Sequence, residues 1–236
     1  MGRAAEIEPR GLVLKKSTYM PENLPAGPWQ VLLQHALALI DEIQKTGGVT
    51  NPVWTFGGGT VLMLRYKHRL SKDIDIFVAD PQYLGFVTPR LSDLAESIST
   101  DYVEGPGYVK LLRPEGEIDF VASTNLTNNP YEKWNLFDHS VNVETAAEIV
   151  AKKLFHRGNR ATARDLFDLA MVIEKEQTSL SSAAQYLTRY RSEFLQQIDQ
   201  RRFVLEAQFD AIDHLEYNVT YEQAVRLASD FLRSLD

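Results

Sequence analysis

The sequence predicts an α+β protein with a small mixed sheet in its N-terminal part and an all-helical C-terminal part. Short β-rich runs at 52–56, 73–78, 108–112 and 117–122 are interleaved with helical patterns. Strand signals stop after about Thr145, and helical patterns alone continue to the C-terminus.

Each element has a local reason. Residues 1–28 carry four prolines and no sustained period, so they read as an arm. Val31, Leu32, Leu33, Leu37, Leu39, Ile40 and Ile43 recur at helical spacing, and Gly47-Gly48 ends that helix. Pro52–Phe56 reads as a strand, Gly57-Gly58-Gly59 as a turn and Thr60–His68 as a helix. Asp73–Val78 alternates polar and apolar as a strand does, and 82–99 reads as a helix with Leu91, Leu94, Ala95 and Ile98 on one stripe. Arg113-Pro-Glu-Gly116 supplies turn chemistry between two further strands.

The 236 residues, 44% hydrophobic and 24% charged, provide core enough for one domain or two small ones. A formal charge of -7 argues against a protein that coats nucleic acid by broad phosphate neutralisation. The absence of cysteine excludes disulfides, thiolate metal sites and a cysteine nucleophile. No signal peptide and no run of ~20 apolar residues is found, so the expected location is the cytoplasm, with no membrane partner. There is no Gly-x-Ser-x-Gly elbow for a serine hydrolase, and the histidines lack ligand spacing, although His68, just after the glycine-led helix, is placed to touch a phosphate.

The chemistry concentrates between Gly57 and Phe77. Asp73 and Asp75 project from one face of a strand, roughly 7 Å apart, which suits a shared hard cation. Asp-x-Asp alone fits a solvated edge strand equally well. The preceding glycines let phosphate oxygens approach the backbone, and the following helix N-terminus adds partial positive charge. Asp119 alternates within Glu-Ile-Asp-Phe-Val; if its strand lies beside Asp73–Asp75, three carboxylates converge, as a two-metal phosphoryl-transfer site requires.

Farther along, helix geometry separates two lysines. At about 100° per residue, Lys153 falls between Ile149 and Val150, whereas Lys152 stands beside Glu148 as an i,i+4 partner. Arg164, Asp165 and Asp168 share one face of the next helix, either as a solvated face with an Arg164–Asp168 pair or as part of a site in which Asp165 orients Lys153 or an acceptor.

Gly58-Gly59-Thr60 followed by Ser71-Lys72-Asp73-Ile74-Asp75-Ile76-Phe77 resembles the motifs of the polymerase-beta-type nucleotidyltransferase superfamily. Glu148-Ile-Val-Ala-Lys-Lys-Leu154 and Arg164-Asp165-Leu-Phe-Asp168 resemble its AbiEii/AbiGii toxin branch, and the likeness covers about residues 50–175. The resemblance implies a polymerase-beta-like nucleotidyltransferase domain over 29–140 and a helical domain over 141–236 that completes the active-site cleft. It further implies Mg²⁺-dependent transfer of an NMP from an NTP. Gly58, Gly59 and Thr60, with Arg69 and Ser71, would bind the nucleotide; Asp73, Asp75 and Asp119 would bind metal; Lys153 and Asp165 would line the same cleft. The triglycine is one residue longer than the motif needs, so which two glycines act is open. As partners the family implies an NTP, an acceptor such as tRNA, and a cognate antitoxin in a toxin-antitoxin or phage-defence system. A small-molecule (aminoglycoside-type) nucleotidyltransferase, favoured by an acidic acceptor pocket over a basic groove, and a non-catalytic binding module are the rival readings.

Overall fold

A computed structural model describes residues 24–235. The expected arm at 1–28 therefore lies largely outside the described residues.

Helix α1 (Trp29–Thr46) buries the stripe Leu32, Leu33, Ala36, Leu37, Leu39, Ile40 and Ile43. Strand β1 (Trp54–Gly57) feeds directly into α2 (Gly58–Tyr66), which ends at Lys67 in the left-handed region, φ 48°. Strand β2 (Ile74–Val78) follows. The continuous helix expected at 82–99 is instead a 3₁₀ turn (Pro81–Tyr83), α3 (Leu84–Val87) and α4 (Asp93–Ile98). Pro89 is the reason: it forces Thr88 into an extended conformation (ψ 131°), and Ser92 must cap a new helix.

Strands β3 (Tyr102–Gly105), β4 (Tyr108–Arg113), β5 (Gly116–Ala122), β6 (Tyr131–Leu136) and β7 (His139–Glu144) complete one seven-stranded sheet ordered β3-β4-β5-β2-β1-β7-β6. The sheet is mixed: β2 pairs with β5 and β1 with β7 in parallel, and the remaining neighbours are antiparallel. Strands β3, β6 and β7 had no clear sequence signal. In β6 only Trp134 and Leu136 are buried, so a polar edge strand reads as loop. The domain boundary expected between 140 and 141 falls inside β7.

The sheet has two chemically different faces. Ile74, Ile76, Val78, Ile118 and Phe120 are buried on the side where Leu32 of α1 reaches Gly116. Asp75, Phe77, Asp119 and Val121 alternate onto the opposite side. That side faces α5 (Ala146–Arg157), beyond which come α6 (Ala163–Ser181), α7 (Ala184–Leu187), α8 (Arg191–Gln200), α9 (Arg202–Asp210) and α10 (Tyr221–Ser234). A backbone seam ties the helical part back to the loop after α2. Leu70 N–H donates to Asp213 O (2.7 Å), Leu215 N–H to His68 O (2.9 Å) and Glu216 N–H to Lys67 O (2.8 Å).

Candidate active site

One row of residues crosses the polar face of the sheet. Gly57 of β1 is opposite Asp75 of β2, Asp75 pairs with Asp119 of β5, and Asp119 with Lys110 of β4. On the other flank, Phe56 pairs with Val143, which sets Glu144 beside Gly57. The order of the strands thus aligns three carboxylates and one lysine that lie far apart in the chain.

Each glycine of the triplet leaves room for a different side chain. Gly58 has φ 73°, and a Cβ there would fall 1.8 Å from Asp75 Oδ2. A Cβ on Gly59 would meet Arg69 Nη2 at 2.7 Å and Ser71 Oγ at 3.1 Å, and one on Gly57 would meet Glu144 Oε2 at 2.1 Å. Gly58 therefore makes space for Asp75 and Gly59 for Arg69 and Ser71 at the start of α2, and the extra glycine, Gly57, makes space for Glu144. Thr60 is fully buried, its hydroxyl donating to Asp73 O (2.5 Å) and lying 3.0 Å from Ser71 Oγ. It braces α2 against the start of β2 and does not face the cavity.

Asp75 and Asp119 are the carboxylates that the fold brings side by side. Burial pushes both upward, Asp119 to about 6, and their mutual repulsion adds to the rise of Asp119; Lys153 and Arg157 pull Asp75 back down. Lys110 stands 2.9 Å from Asp119 Oδ2 and also pairs with Glu117; although burial opposes it, these two carboxylates hold the ammonium above its ordinary range. Asp119 Oδ1 is buried without a hydrogen-bond partner. Asp73 differs, since its Oδ1 accepts the Glu117 N–H at 3.0 Å. Asp73 still lines the same cavity as Asp75 and Asp119, although among the described residues no three acidic or histidine side chains stand close enough to form a metal-binding group as they are. Paired hard oxygens, one of them unpartnered, still fit a divalent cation of the kind that takes one or two carboxylates and completes its shell with substrate phosphates and water.

The basic side of the site is organised by α6. Asp168 is fully buried and accepts from Arg69 Nε (2.7 Å) and Nη2 (2.9 Å), from Lys153 Nζ (2.6 Å), and contacts His68 Nε2 (2.8 Å). Although burial opposes ionisation, Arg69 and Lys153 hold its carboxyl well below the usual range. His68, expected to touch phosphate, is itself fully buried in this cluster, and its burial lowers its pKa. Asp165 caps α6 through Thr162 and receives Lys153 (3.0 Å) and Arg157 (2.6 Å), which outweigh its burial and hold it at about 2. The Asp165–Lys153 contact expected from the sequence is present. Asp165 and Asp168 are buried, however, and Asp168 pairs with Arg69 and Lys153 instead of forming a solvated pair with Arg164.

Lys152 also departs from a solvated i,i+4 pair. It lies 3.5 Å from Glu148 but 2.6 Å from Glu144, is buried, and sits 4.1 Å from the Phe77 ring centre. Glu148 accepts Leu126 N–H, Thr127 N–H and Thr127 Oγ–H, fastening the loop after β5 to α5.

Two cavities meet at the carboxylate pair and share Gly59, Asp75, Asp119, Lys153 and Arg157 in their walls. The larger, about 630 Å³, contains Arg69, Ser71, Asp73, Lys110 and Arg164 and is closed by Gln208 and Ala211–Asp213. The smaller, about 420 Å³, runs over Gly58, Phe77, Val121, Ile149 and Glu144 to His156 and Arg160. Of the predicted residues, Gly58, Gly59, Arg69, Ser71, Asp73, Asp75, Asp119 and Lys153 line one or both cavities, while Thr60 and Asp165 stand behind them. Sequence reasoning missed Lys110, Glu144 and Arg157. The one available signal was the surplus glycine, which implied a bulky neighbour for Gly57.

The family profile described as "Nucleotidyl transferase AbiEii toxin, Type IV TA system" matches residues 49–236. A candidate nucleotidyltransferase from H. pylori superposes with a TM-score of 0.50 at 14% identity, over 89% of this chain and 96% of that one. JHP933 from Helicobacter pylori gives 0.47 at 15% identity, over 87% and 92%. ANT(2")-Ia, solved with adenylyl-2"-tobramycin, gives 0.44 at 13% identity, over 67% and 99%. The first likeness shows the fold alone. No sequence relative was found among curated proteins. With the profile covering most of the chain and the glycine cradle facing the paired carboxylates, the protein belongs to the AbiEii nucleotidyl transferase toxin family and is a nucleotidyltransferase.

Proposed function

We propose that the protein transfers an NMP from an NTP to the 3′ end of tRNA in a Mg²⁺-dependent reaction, as the cytoplasmic toxin of a system that includes a cognate antitoxin. The observation that supports this most is the Asp75–Asp119 pair, in register where the two cavities meet, beside a cradle backed by Arg69, Ser71 and Lys153. The triphosphate lies in the larger cavity, where backbone N–H groups of α2 and these cations balance its charge. The acceptor hydroxyl oxygen forms a bond to the α-phosphorus, the bond from that phosphorus to the bridging oxygen breaks, pyrophosphate leaves, and the hydroxyl proton goes to water. A bound Mg²⁺, held by Asp75 and Asp119 with Asp73 nearby, would supply Lewis-acid activation and charge neutralisation.

The helical part from residue 141 onward completes the cleft, because α5 and α6 contribute Lys153, Arg157 and their acidic braces. The acceptor side carries two exposed cations, Arg157 and Arg160, which suit a phosphate-bearing acceptor. The test is incubation with each labelled NTP, total tRNA and either Mg²⁺ or a chelator. Mg²⁺-dependent label on tRNA is expected; label on another molecule, or none with NTP binding intact, overturns the acceptor assignment.

A further inference from the structure

We infer that the smaller cavity receives the terminal nucleoside of the acceptor RNA, and that Glu144 holds a hydrogen-bond donor of that nucleoside. This rests on the nucleotidyl-transfer reading and assigns its acceptor subsite. Transfer at phosphorus places the attacking and leaving oxygens roughly in line. With the triphosphate beside Arg69 and Ser71, the attacking hydroxyl approaches Asp75 and Asp119 from away from those residues, and the 420 Å³ cavity is the one that reaches both carboxylates without touching Arg69 or Ser71.

The walls there match a nucleoside. Phe77, Val121 and Ile149 offer an apolar surface for a planar ring, and Arg157 and Arg160 stand at the rim for the preceding phosphate. Glu144 supplies the independent sign of a ligand. It is fully buried; its Oε1 accepts from Lys152 (2.6 Å) and Thr55 (2.7 Å), and its Oε2 has no partner. An unpartnered buried oxygen is costly to maintain, and the chain makes space for this one by having glycine at 57. A base N–H or amine entering the cavity satisfies it.

Three comparisons test this, using a short single-stranded RNA with a free 3′ hydroxyl, the same RNA with an abasic terminal residue, and the four NTPs. Wild-type protein is expected to bind the abasic RNA tenfold or more weakly, a comparison that needs no variant. Val121→Phe fills the cavity, and Glu144→Gln can keep the Lys152 and Thr55 bonds on its amide oxygen but presents an amide N–H donor to the ligand in place of an acceptor. Both are expected to weaken RNA binding by roughly 10- to 100-fold, the range of a lost charged hydrogen bond, to leave NTP affinity within about twofold, and to abolish most of the discrimination against the abasic end. A fall in NTP affinity in Val121→Phe shows that the NTP's own nucleoside occupies the cavity and overturns the inference, as does unchanged discrimination in both variants. RNA binding with this pattern but no label transfer overturns the proposed reaction alone; transfer with indifferent variants overturns this subsite alone.

Discussion

Asp168 holds Arg69 and Lys153 together: one carboxylate of α6 reaches the guanidinium at 2.7 and 2.9 Å and the ammonium at 2.6 Å. Two cations from separate elements thereby stand beside the Asp75–Asp119 pair, held in place before substrate binds. Asp168→Asn leaves the buried Arg69 without its carboxylate, while Lys153 keeps Asp165. A loss of about 3–5 kcal/mol is expected in urea unfolding, together with a raised KM for NTP; unchanged stability would show that the cluster is not under this electrostatic tension.

Asp75 gives the opposite sign. Burial penalises its charge and Asp73 repels it, so the ionised form costs folding free energy. Asp75→Asn is expected to raise the melting temperature by about 2 °C or more while transfer falls roughly a hundredfold or more. Calorimetry and a labelled-NTP assay on the same preparation check both directions.

Gly58 tests the cradle itself. With φ 73° and Asp75 Oδ2 at 1.8 Å from a would-be Cβ, Gly58→Ala adds backbone strain and displaces the carboxylate. Transfer should fall as far as in Asp75→Asn, but with a lowered melting temperature. Gly48 has a similar φ of 64° with open space around it, so Gly48→Ala carries only the backbone cost and should leave transfer intact.

Acid stability should report Asp165. Its folded value of about 2 lies below the ordinary 3.8, so its contribution is present above pH ~4 and is lost as pH falls toward 2. The shift corresponds to about 2 kcal/mol. In urea unfolding, wild type should exceed Asp165→Asn by a margin of this order at pH 6, and the margin should shrink steadily below pH 4; a margin independent of pH would point to the helix cap with Thr162 as the whole effect.

Much of this protein was legible in the chain, because its signals are local. Period-two alternation put Asp75 and Asp119 on one side of their strands and Ile74 and Phe120 on the other, and helical spacing turned Lys153 toward the site before Lys152. Tertiary structure decided what those residues meet. Strand order set Asp75 next to Asp119 but left Asp73 bonded to the Glu117 backbone. Helix docking made Asp168 a buried hub and converted the Lys152–Glu148 neighbour relation into a buried contact with Glu144, while a sheet edge poor in apolar residues left β6 silent. Alternation and helical period depend on backbone geometry within a few residues, whereas pairing between strands and burial of charge depend on contacts whose partners lie dozens of positions away.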